Sequence, residues 1–177
     1  GGRWSRQRLL AHCEANLDED WSACTGARTE AGSGFWFGIQ RAIALFLIRR
    51  NLSGDPRELG HVDPRIRAIV AGVPVAADFD LATLAAPAVP LAMTEGPQDR
   101  WLVPRFHSAA LLKACAPCER LDAPAGAGHG ALLDPLPPEL PPRIRKLLDD
   151  PPGFQRAALP GYYASVVAFL DRHLRAP

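Results

Sequence analysis

The spacing of hydrophobic positions changes several times along this chain. Ser5 to Asn16 sets Leu9, Leu10 and Cys13 on one helical face, with Ser5 as N-cap. Leu17 to Gly34 is polar, contains glycine and reads as loop. Phe35 to Ile48 is the longest apolar stretch, interrupted by Gln40 and Arg41 and closed by Arg49-Arg50. It is shorter and more charged than a membrane span, which needs roughly 20 mostly apolar residues. A buried helix from Phe35 to Arg50 is expected.

Asn51 to Pro64 holds Gly54, Pro56 and Gly60 and reads as a connection. Beyond it the pattern switches to short apolar runs, the first of them β-branched. Ile66 to Val73, bounded by Pro64 and Pro74, suits a buried parallel strand. Leu81 to Ala86 is a short helical or turn segment, and Val89 to Thr94 is the next strand. Pro104 to Cys115 predicts a helix, with Pro104 in the first turn where a missing N–H costs nothing. Glu119 to Ala123 predicts a third strand. Pro135 to Pro152 is punctuated by proline, with one short helix near Arg143 to Leu148. Tyr162 to Leu174 is a helix whose Tyr163, Val166, Val167 and Leu170 share a face.

Strands separated by helices, without a hairpin signal, imply an α/β fold. The expected architecture is a short parallel sheet of three strands flanked by helices. One domain is expected, with a helical segment over 1–62 and a strand–helix core over 63–177; no internal repeat is found.

Composition narrows the function classes. The chain has 177 residues, 47% of them hydrophobic, enough for one core. Its formal net charge of +1 argues against a dedicated binder of nucleic acid or anionic membrane. Arg143, Arg145 and Lys146 form a small basic cluster, read as a solvated helix face. No signal peptide follows Gly1 and there is no initiator methionine, so a processed or truncated product is expected. The compartment stays open.

Two residues stand out chemically. Asp99 lies just past the strand ending at Thr94, and His129 lies in Gly126-Ala127-Gly128-His129-Gly130, just past the next strand. In open parallel sheets, functional groups gather in loops at the carboxyl ends of strands. An acid there can fix a histidine tautomer and stabilise the imidazolium. Acid, then histidine, then a terminal amphipathic helix is the order in which an α/β-hydrolase presents the last two members of a Ser…Asp…His triad. Glu95 is a second candidate acid, closer to its strand.

The nucleophile is missing. None of Ser5, Ser22, Ser33, Ser53, Ser108 and Ser165 has glycine at both −2 and +2, and no cysteine does. Gly32-Ser33-Gly34 has the wrong spacing and no preceding strand. No cofactor or metal is expected.

The four cysteines leave several readings open. Cys13 and Cys24 flank a polar loop and could form a disulfide in an exported protein. Cys115-Ala116-Pro117-Cys118 has CxxC spacing but ends a helix, whereas a thioredoxin-like site starts one. A four-thiolate zinc site would need both pairs, and Cys13 and Cys24 are not a tight pair. Structural thiols or a disulfide are favoured over redox or zinc chemistry.

From Arg8 onward the chain resembles the bacterial dienelactone hydrolase-like proteins of the α/β-hydrolase superfamily. The residues that carry this are Ala11-His12-Cys13 with Cys24, Asp63-Pro64-Arg65-Ile66-Arg67-Ala68 before Val73-Pro74, Gln98-Asp99, and Gly126-Ala127-Gly128-His129. Asp150-Pro151-Pro152-Gly153-Phe154-Gln155-Arg156 and the closing helix complete the set. The resemblance covers the C-terminal half of such a protein and is thinnest between Thr25 and Gly60. It implies Asp99 as triad acid and His129 as triad histidine, with the serine elbow falling before Gly1. Relatives often have cysteines where this chain has Leu136 and Leu148, and an aromatic-rich stretch where it has Gly130-Ala131-Leu132-Leu133.

The expected function is hydrolysis of a small carboxylic ester or lactone, with this chain supplying acid and histidine but no nucleophile. The alternative is a non-catalytic relative or one half of a two-chain assembly. In that reading the edge of the strand at Ile66 to Val73 drives self-association or partner binding.

Overall fold

The computed structural model describes residues 2–26 and 29–175. The chain begins with a two-residue strand, β1 (Arg3–Trp4), and helix α1 (Arg6–Asn16). Ser5 caps α1, its Oγ accepting the Arg8 N–H at 3.2 Å. The segment expected to be loop from Leu17 to Gly34 instead contains a short helix, α2 (Trp21–Thr25), stopped by Gly26 at φ 63°. Cys13, Leu17, Trp21 and Cys24 continue the apolar face of α1 at steps of four, four and three. Cys13, Leu17 and Trp21 are buried with Ile48, and that burial overrides the polar residues between them.

Helix α3 (Phe35–Leu52) lies across α1 and α2. Phe37, Ala44, Leu45, Ile48 and Leu52 face them. Ion pairs Arg41–Asp18 (2.7 Å) and Arg49–Glu14 (2.6 Å) flank the contact. The expectation of a buried helix is corrected here: only Ile48 is buried, and Phe35 and Trp36 stand 83% and 73% exposed. The packed elements meet α3 on one side only.

The sheet comprises β2 (Ile69–Gly72), β4 (Leu91–Thr94) and β5 (Glu119–Arg120), all parallel, in the order β2-β4-β5. Strand β3 (Phe79–Asp80) leaves this sheet and pairs antiparallel with β1, a small ribbon the sequence did not signal. Between β4 and β5 the single helix expected from Pro104 to Cys115 is broken at His107. A 3-10 turn (Pro104–Phe106) precedes α4 (Ser108–Ala114). After β5 come α5 (Pro142–Leu148) and α6 (Leu159–Leu174).

Both faces of the sheet are covered, as parallel strands require. Central β4 alternates accordingly. Ala92 packs with Leu121, Leu132, Leu159, Tyr162 and Phe169 under α6. Met93 packs with Ala76, Leu111 and Cys115 under α4. Thr94 returns to the α6 side, where its hydroxyl meets Tyr162 Oη at 3.1 Å.

Strand β2 is an edge among the described residues. Ile69 N–H and Val73 N–H point to Pro90 and Thr94 carbonyls of the β4 side, so Val70 and Gly72 turn their backbone groups outward. No described helix is long and apolar enough to cross a membrane.

Candidate active site

Asp99 and His129 meet where β4 and β5 run out. The turn after β4 closes with Asp99 N–H on the Gly96 carbonyl, and the buried Asp99 side chain points back into it. Its Oδ1 accepts the backbone N–H groups of Trp101 (2.8 Å) and Leu102 (2.9 Å). Its Oδ2 lies 2.9 Å from His129 Nδ1. Two of the three contacts are backbone N–H donors, which suit an ionised Asp99, and against a carboxylate oxygen His129 places its proton on Nδ1. Nε2 is left with a lone pair, the arrangement a general base needs.

Glycines permit the histidine loop for two different reasons. Gly126 sits at φ 76°, a region that favours glycine. At Gly130 the constraint is space: a Cβ there would lie 2.5 Å from Leu148 Cα. The opposite wall holds Val73, a β-branched residue at φ 41°, at the carboxyl end of β2. Such backbone strain collects at functional sites.

His129 lines a groove of about 490 Å³ with Val70, Gly72, Val73, Leu132, Leu148 and Tyr162 among its walls. The groove runs along the free edge of β2. No described serine, threonine or cysteine lines it. Its two tyrosine hydroxyls are engaged, Tyr162 with Thr94 and Tyr163 with the Leu132 carbonyl at 2.8 Å. Glu95, the second candidate acid, turns toward Arg120 at 3.7 Å instead.

The cysteines resolve into two disulfides, Cys13–Cys24 and Cys115–Cys118. No free cysteine remains among the described residues, so no thiolate is available as nucleophile or zinc ligand. The basic cluster is an exposed face, as expected, and two of its residues also make cross-contacts. Lys146 pairs with Glu30, and Arg143 donates to the Gly26 carbonyl at 3.1 Å, tying α5 to the loop before α3.

A second polar cluster has no spacing motif to announce it. His12 of α1, Asp20 before α2 and His107 before α4 converge, with His107 and Asp20 fully buried. Asp20 Oδ2 lies 2.7 Å from His12 Nε2 and 2.8 Å from His107 Nε2. Burial alone would raise the Asp20 carboxyl, but the hydrogen bonds from His107 and His12 outweigh it and hold it at about 2.

The three ligand atoms lie within 4.8 Å of one another, close enough for a metal. The hydrogen bonds decide otherwise. Ala76 N–H donates to His107 Nδ1 at 3.1 Å, and the Asn16 amide lies 3.3 Å from His12 Nδ1. The backbone N–H fixes the His107 proton on Nε2, the atom a metal would need bare. The cluster is a hydrogen-bonded tie between the helical segment and the strand–helix core. It also reaches the acid loop, where Val103 N–H approaches Asp20 Oδ1 at 3.5 Å.

Comparison with known protein families, with curated proteins and with solved structures gives no match to this chain.

Proposed function

We propose that this chain carries the acid–histidine half of an α/β-hydrolase acting on carboxylic esters or lactones. The observation that supports it is the 2.9 Å Asp99–His129 contact at the ends of two neighbouring parallel strands. The serine comes from outside these 177 residues, on a longer chain or a second one.

In this reading His129 Nε2 takes the proton of the serine hydroxyl as its oxygen attacks the carbonyl. Asp99 holds the ring and stabilises the imidazolium; its bonds to Trp101 and Leu102 keep it in place. The imidazolium then protonates the leaving alcohol. A water, deprotonated by the same nitrogen, releases the acid. The apolar walls of the groove suit the acyl or alcohol part of a small ester.

The test is turnover of p-nitrophenyl esters and labelling by a serine-directed fluorophosphonate in protein that includes the serine-bearing segment. The label should fall outside residues 1–177, and His129→Ala should remove both signals. Turnover unaffected by His129→Ala would end the proposal. One observation favours a second reading, a non-catalytic partner protein: the His129 groove contains no nucleophile of its own among the described residues. That reading predicts no ester turnover in any assembly containing this chain.

A further inference from the structure

We propose that the outward face of α3 is the contact surface for a second copy of this chain, packed antiparallel about a two-fold axis at Ile43. The surface is separate from both the His129 groove and the free edge of β2.

Three observations lead there. First, α3 contains no acidic residue and is apolar around most of its circumference. A helix of that kind belongs in an environment buried on all sides, and α1 and α2 supply only one. Second, the outward residues Trp36, Ile39, Ile43, Phe46 and Arg50 follow steps of three, four, three and four. That is the seam of a two-stranded helical pair. Phe46 is 62% exposed and Ile43 56%. Third, the exposed area is large. At about 150–250 Å² per aromatic side chain, Phe35, Trp36 and Phe46 with the three aliphatics Ile39, Ile43 and Leu47 present roughly 700 Å². A standard interface takes about 800 Å² from each partner, whereas the largest patch on an ordinary monomer is about 300–600 Å².

The seam is complementary to itself when read backwards. Antiparallel pairing sets Ile43 against its own copy and Ile39 level with Leu47, one residue from Phe46. Arg50, which makes no ion pair among the described residues, then meets the Trp36 ring, a cation–π contact. Parallel pairing would set Arg50 against Arg50. A lipid surface fits less well. Interfacial helices keep their cations on a polar face, and Arg50 lies within the apolar stripe. Arg41 and Arg49 are already paired with α1 or the loop after it.

Sedimentation velocity on the full chain tests this. The expected mass is twice the 19.1 kDa of one chain. Ile43→Glu and Phe46→Glu should each halve it, with the far-UV circular dichroism spectrum unchanged. Under mild oxidation Ile43→Cys should cross-link to its own copy. Trp36→Cys should not, because its copy lies about 21 Å away along the helix axis. A wild type that stays monomeric at tens of micromolar overturns the proposal. So does a dimer that survives both Glu variants, which would point to the β2 edge, or a monomer that sediments with phosphatidylglycerol vesicles.

Discussion

The backbone N–H of Gln98 donates to the Ala127 carbonyl across 3.0 Å, joining the acid loop to the histidine loop. Asp99 and His129, thirty residues apart in sequence, thus sit on two loops that are themselves bonded. The side-chain contact is the second link between them. In this geometry the dyad is held by backbone and does not depend on either side chain reaching far.

Contact with α5 separates a glycine of the histidine loop from one beyond α5. A Cβ at Gly130 would press on the Leu148 backbone, with Cα at 2.5 Å and the carbonyl oxygen at 2.6 Å. Gly130→Ala should cost about 1–3 kcal/mol through overpacking and loosen α5 from the groove. Gly153 has φ 85° and nothing within 4 Å of its Cβ position. Gly153→Ala should cost about 1–2 kcal/mol from left-handed backbone alone and leave α5 in place. Urea melts give the costs. Hydrogen exchange over residues 143–148 separates the two, rising only for Gly130→Ala.

The dyad makes a prediction that needs no nucleophile. Asp99 fixes the proton of His129 on Nδ1. Long-range proton–nitrogen NMR at neutral pH should show the Nδ1–H tautomer in the wild type. Asp99→Asn should shift the population toward Nε2–H. In an assembly that turns over ester, the same change should lower kcat by about 10⁴-fold through the wrong tautomer. An Nε2–H tautomer in the wild type would sink the assignment.

The sheet and the dyad were legible because both depend on local order. A β-branched run bounded by prolines became β2, a short apolar run after Pro90 became β4, and Asp99 and His129 fell in the loops that follow strands. Features set by distant neighbours were not legible. Residues 104–115 read as one helix, yet His107 leaves helical backbone, its ring bonded to Asp20 and Ala76. The His12–Asp20–His107 cluster spans 87 residues between its acid and His107, with no motif to announce it. α3 read as buried because its sequence is apolar; nothing local tells how many neighbours arrive.

That cluster should govern acid stability. The folded Asp20 carboxyl sits at about 2, below its ordinary 3.8. A depressed carboxyl contributes stability that is full above the unfolded value and is lost as pH falls through the folded one. The contribution is about 2 kcal/mol and should vanish between roughly pH 4 and pH 2. Wild type and Asp20→Asn should therefore differ most near neutrality and converge at the acid end of a urea series. A gap that stays constant below pH 3 would show that Asp20 acts by shape alone. Because the His107 imidazole holds its proton on Nε2, added zinc should not raise the melting temperature.

The two disulfides should differ in weight. Cys13–Cys24 closes a separation of 11 residues and Cys115–Cys118 a separation of 3. Loop-closure entropy assigns about 3 kcal/mol to the first and about 2 kcal/mol to the second. Cys13 is fully buried among Leu17, Trp21 and Ile48, the cluster on which α3 rests, and Cys115 is buried against Met93 and Leu111 at the end of α4, so the gap rests on loop length. The pair Cys13→Ala with Cys24→Ala should lower the melting temperature more than Cys115→Ala with Cys118→Ala. It should also shift the emission of Trp21, which packs against Phe37 of α3 at 5.7 Å between ring centroids. Equal losses from the two pairs, with unchanged emission, would mean that α3 is seated by its ion pairs to Glu14 and Asp18 and not by this covalent link.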